Sequence, residues 1–100
     1  MFYRLKFVIK GNDHLDNPPL NLQNGWNMVS FPGPIQLTSN TFLLRCSNMQ
    51  VGCKAISRYI NGNFDTVYYV DNTHFGNEFK IDKTSGYFVL NKGEQKIMQL

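Results

Sequence analysis

Alanine is nearly missing from this chain: Ala55 stands alone in 100 residues. Alanine is the best helix former. Its scarcity, beside plentiful Asn, Gly, Thr, Val, Tyr and Phe, disfavours a helix bundle and favours strands joined by tight turns. Charge is also scarce, at 17% of residues, with a net charge of +3 and a pI near 9.0. The ten basic residues are scattered and never adjacent. That reads as a solvated surface and makes a nucleic-acid footprint a weak expectation. No apolar run reaches the length of a membrane helix, so no membrane insertion is expected. The opening "MFYRLKFVIK" lacks a continuous apolar core and a small-residue cleavage site, so it does not read as a signal peptide. There is no Asn-x-Ser/Thr acceptor, no serine elbow and no glycine-rich loop leading into a helix.

Catalytic and metal chemistry have little to build on. The two histidines, His14 and His74, sit in Asn- and Asp-rich stretches without zinc spacing. A site drawing together His14, Asp13, Asp16, Asp71 and His74 is weighed and set aside in favour of solvated loops. Asp65, Asp71, Glu78 and Asp82 are spread along the β region and form no marked pair. Asp65 is expected on the open face of its hairpin. No cofactor and no enzymatic activity are expected. Cys46 and Cys53 are separated by six intervening residues, not C-x-x-C. They would pair in an oxidising compartment, closing a loop worth roughly 2.5 kcal/mol, or remain buried thiols in a reducing one.

What is present reads as one β-rich domain over residues 1–100. A domain of 11.6 kDa buries about two-thirds of its unfolded surface, enough for one core. Residues 2–10 alternate, with Tyr3, Leu5, Phe7 and Ile9 on one side. "GNDHLDNPP" reads as loop. Two short strands, 20–23 and 26–31, flank Asn24-Gly25, and "PGP" ends the second. In that second strand Trp26, Met28 and Ser30 share one face and Asn27, Val29 and Phe31 the other. Residues 35–53 admit two readings. One is a short helix near 39–49, capped by Thr38, Ser39 or Asn40, with Phe42, Cys46 and Met49 on one face and an exit at Gly52. The other is a strand at 41–46. Asn61-Gly62, between "KAISRYI" and "NFDTVYYV", is the strongest hairpin signal. A polar loop "DNTHFGNE", a turn at "KTSG", the strand "YFVLN", a turn at Lys92-Gly93 and a strand near 95–99 complete the chain. The expected fold is all-β: a small antiparallel sandwich or partly open barrel with one short helix.

Three segments carry a resemblance. "LNLQNGWNMVSFP" resembles the "GWN(L/M)(I/V)S.P" opening of a small β-rich module of bacterial and archaeal cell-surface proteins. "CKAISRYINGNF" resembles that module's central hairpin, and "GNEFKIDKTSGYFVLN" its closing "GY(W/F)V" strand. The similarity runs from about Leu20 to Asn91. It implies a structural module of extracellular or cell-surface multidomain proteins, with no catalytic residues to carry over. It also implies that Gly25, Trp26, Asn27, Gly86, Tyr87, Phe88 and Val89 are framework. The residues themselves give the same expectation, because a lone Trp on an alternating strand usually buries its large apolar area. Asn27 beside it is expected to satisfy backbone groups at the strand's start.

The expected function is therefore a structural or adhesive module of a cell-surface or secreted assembly, with neighbouring domains or a second copy as protein partners. Two alternatives are weighed. The first is glycan binding by an aromatic surface of Tyr59, Phe64, Tyr68, Tyr69, His74 and Phe75. In "VYYV" the neighbouring tyrosines must face opposite ways, so one of Tyr68 and Tyr69 points outward. The second is single-stranded nucleic-acid binding by Arg45, Lys54 and Arg58 near aromatics. The weakly charged stretch "TVYYV", read as an edge, suggests homo-oligomers.

Overall fold

The computed structural model describes residues 18–100. The strand expected at 2–10, together with Asp13, His14 and Asp16, lies outside the described residues. The described residues form an all-β fold with two antiparallel sheets and one short helix. In chain order the elements are β1 (Leu20–Leu22), β2 (Gly25–Ser30), α1 (Ser39–Asn48), β3 (Cys53–Ile60), β4 (Asn63–Val70), β5 (Thr73–Phe75), β6 (Gly86–Asn91) and β7 (Lys96–Met98). The larger sheet has the order β2-β6-β3-β4-β5, and β1 pairs with β7 to form the smaller one.

Turn chemistry explains the connections. Asn61 and Gly62 both take positive φ, 52° and 81°, as a tight β3–β4 hairpin requires. Asp71 and Asn72 do the same at 51° and 62°, and this second tight turn folds β5 back on β4. The stretch read as a polar loop therefore contains a strand. Asn and Asp reach the left-handed region through local hydrogen bonding, so a hairpin turn formed here without a glycine. Because β5 pairs with Tyr68, Tyr69 and Val70, "TVYYV" is not an edge. Among the described residues the sheet's edges are β2 and β5.

Of the two readings of residues 35–53, the helix is the one that forms. Thr38 is its cap. The Thr38 hydroxyl accepts the Thr41 N–H at 3.2 Å, and the Thr41 hydroxyl accepts the Thr38 N–H at 2.7 Å, a reciprocal capping box. The exit differs from expectation. Gln50, at φ 60°, takes the left-handed position, and Gln50 and Val51 N–H groups donate to Ser47 and Cys46 carbonyls. Gly52 is instead a close-approach residue: a Cβ there would lie 2.8 Å from the Gly93 amide nitrogen. Met49, expected on the buried helix face, is the exposed C-cap.

The core lies on one side of the larger sheet. Tyr87 and Val89 of β6, Ile56 of β3, and Val67 and Tyr69 of β4 pack against Phe42, Leu43 and Cys46 of α1 and Leu22 and Met98 of the small sheet. Tyr87 is central. It stacks on Phe79, meets Phe31 at 5.7 Å between centroids, and its hydroxyl accepts the Asp82 N–H at 2.8 Å. Asn91 is fully buried and staples three elements. Its amide donates to the Leu22 and Glu94 carbonyls, and its oxygen accepts the Gly93 N–H, all within about 3 Å.

Candidate functional site

Side chains alternate across a sheet, and directly paired residues share a face. The register therefore defines the side of the larger sheet that the helix does not cover. One row runs Trp26, Leu90, Ala55, Tyr68, Phe75 across β2, β6, β3, β4 and β5. The next runs Met28, Phe88, Ser57, Thr66. Tyr59 and Phe64 pair beyond them. None of the paired positions in these rows is charged; the exposed Lys54 sits at the bulge of β3, outside the register. Most of its large side chains are exposed, Phe64 at 60% and Met28 at 77% among them.

The face is hollow in the middle. Ala55 and Ser57 of the central strand are small, while tall side chains stand on the strands to either side. The result is a trough of about 290 Å³ lined by Trp26, Ser57, Phe64, Thr66, Tyr68 and Phe88. On its floor the Ser57 and Thr66 hydroxyls lie 2.8 Å apart and hydrogen bond to each other. One of their two protons makes that bond, so the pair keeps a second proton and spare lone pairs. Along one wall Phe64 makes edge-to-face contacts with Tyr59 at 4.9 Å and Phe88 at 6.0 Å, which hold these rings upright.

Trp26 corrects the framework expectation. It is 54% exposed and stands on the open face, not in the core. The reason lies in its neighbours. Asn27 must point to the covered side, where its amide reaches the Gln23 and Gly25 carbonyls and its oxygen accepts the Gln23 N–H at 2.9 Å. Val29 packs on the core from the same side, and Phe31 beyond the strand is fully buried. Trp26 is forced outward by alternation. Phe88, also expected as framework, is half-buried on the open face, next to core residues Tyr87 and Val89. Gly25 takes a positive φ of 104° at the strand start, and Gly86 is the exposed residue that opens β6.

The expected aromatic surface divides between the faces. Tyr59, Phe64, Tyr68 and Phe75 are together on the open side. Tyr69 and His74 are not. Tyr69 is buried on the helix side, with its ring 4.6 Å from that of His74. The His74 Nε2–H donates to the Asn40 carbonyl at 3.2 Å, fastening β5 to the start of α1. Trp26 and Phe88, absent from the expected surface, complete it. Their parity in the alternating strands was the available signal.

The charged residues lie elsewhere. Asp65 is on the helix side, not the open face, and pairs with Arg58 at 3.1 Å. The Arg58 guanidinium lies 4.6 Å from the centre of the Phe79 ring. Arg45 is on α1 and Lys54 is exposed in β3, and none of the three basic residues of the nucleic-acid reading lines the trough. Glu78 accepts a hydrogen bond from the Thr38 hydroxyl. The Thr84 hydroxyl and N–H both donate to Asp82, holding its carboxyl below the usual range. Among the described residues no His, Cys, Asp and Glu cluster could hold a metal, and no helix is long and apolar enough to cross a membrane.

Cys46 and Cys53 are free thiols, both buried. Of the two states set out for them, this is the one in the structure. A hydrogen bond with Cys53, and then burial, push the Cys46 thiol well above its ordinary pKa. Cys46 also lies 3.5 Å from the Met98 sulfur.

Comparison with family models, curated proteins and solved structures gave no match.

Proposed function

We propose that this chain is a non-enzymatic adhesive module of a cell-surface or secreted assembly, and that the open face of its larger sheet is the contact surface. One observation carries the reading: the paired rows of the open face are aromatic and uncharged, yet exposed. An antiparallel sheet with one solvated face ordinarily carries polar residues there. Contiguous apolar patches on soluble domains mark interaction sites, and contact-surface centres are rich in aromatics and Met and poor in charge. The non-enzymatic part is supported by the carboxylates, since Asp65, Glu78 and Asp82 are each engaged in a structural contact away from the trough. The surface setting rests on the sequence resemblance.

The test is adhesion of the immobilised chain to cell-envelope preparations. The variant combining Trp26→Ala, Phe64→Ala and Tyr68→Ala should lose adhesion while keeping its circular dichroism spectrum. Undiminished adhesion by a folded triple variant would mean that the face is not the contact surface.

A further inference from the structure

The trough on the open face has a chemistry more selective than apolarity. We infer that it is a subsite for one ring of a neutral pyranose glycan, held between Trp26, Phe64, Tyr68 and Phe88 over the Ser57–Thr66 hydroxyl pair. The inference rests on the reading of this face as the contact surface and names what it contacts.

Three observations select this occupant. The first is charge. A nucleic acid requires Lys or Arg against its phosphates, and no residue lining the trough provides one. A neutral ligand is the electrostatic match. The second is the floor. Covering the trough with an apolar surface would leave the remaining hydroxyl proton and lone pairs of the Ser57–Thr66 pair unmatched, which is unfavourable. A sugar ring brings hydroxyls on its rim to meet them and apolar C–H faces to lie on the aromatic walls. The third is shape. At about 290 Å³ the trough is at the small end of ligand sites, a space for one ring.

Trp26, the only tryptophan, is part of the trough and reports its occupancy. The experiment titrates the chain with cello-, chito-, manno- and maltohexaose, following Trp26 emission at low and high salt, with light scattering on the chain alone. The expected result is a saturable change with at least one hexasaccharide. It should be indifferent to salt and weakened roughly tenfold or more by Phe64→Ala or Tyr68→Ala. Thr66→Val, which keeps the shape and removes a hydroxyl, should weaken it too. No response to any of the four, with adhesion still abolished by the triple variant, overturns the glycan assignment and leaves the contact surface standing. Salt-sensitive binding of a single-stranded DNA oligonucleotide in place of sugar, or a dimer that Tyr68→Ala dissociates, has the same meaning. No response together with undiminished adhesion of the triple variant overturns both readings.

Discussion

Tyr87 and Phe88 are neighbours in β6, and the sheet puts them in different worlds. Tyr87 is fully buried, with ring partners on two sides and its hydroxyl bonded to the Asp82 backbone. Phe88 is half-buried on a face that nothing in the described residues covers. Both faces are apolar, but only one is a core. The helix side is closed by α1, the β1–β7 pair and the Phe31 and Phe79 segments, and its polar groups, Asn27 and Asn91, are bonded to backbone. On the open side, hydrophobicity contributes little to folding, since the area stays in water. Large aromatics kept exposed on a strand are better explained by something they contact than by the fold.

Substituting the two neighbours sharpens the contrast most. Tyr87→Ala should cost about 3–5 kcal/mol in chemical denaturation, a large part of a small domain's stability. Phe88→Ala should cost about 1 kcal/mol or less, because much of that ring is already hydrated. Equal costs would mean that the open face is buried by something. Next in size is Asn91→Leu. It leaves the Leu22 and Glu94 carbonyls and the Gly93 N–H without their partner and should cost about 3 kcal/mol. Tyr68→Lys, a charge placed on the open face, should change stability by no more than about 0.5 kcal/mol. It should nonetheless abolish contact by that face.

The sequence made much of this fold legible, for identifiable reasons. Asn61-Gly62 announced its hairpin because two consecutive positive φ values are nearly a signature of that pair. The alternation in "WNMVSF" was also correct. What alternation cannot say is which side is inside. With Trp26 and Met28 on one face and Val29 and Phe31 on the other, both sides are apolar, and burial of the single Trp was the wrong tie-breaker. Asn27 held the better clue: a side chain that bonds the backbone of its own turn must face that turn. The β5 strand was hidden because Asp71-Asn72 makes its tight turn without glycine. Tyr69 and His74 resemble surface residues by their chemistry, and the parity of "VYYV" leaves their side undecided. The Ser57–Thr66 floor was illegible, since it depends on cross-strand register.

The smallest expected effect concerns the turn that feeds β6. The Thr84 donors lower the Asp82 pKa in the folded chain, so the charged form is favoured there. That contribution is present above the unfolded value of about 3.9 and is lost as pH falls through the lower folded value. The group is exposed and the effect on stability slight. Carboxyl titration by NMR should find Asp82 low, and Thr84→Ala should move it back towards the ordinary range.

The decisive measurement is acrylamide and iodide quenching of Trp26, read with its emission maximum, in the free chain. One tryptophan gives one signal. A red-shifted emission, readily quenched by both agents, is the result expected of an indole standing on an open face. A blue-shifted emission protected from both would contradict the account, for it would mean that Trp26 is covered and the face is core.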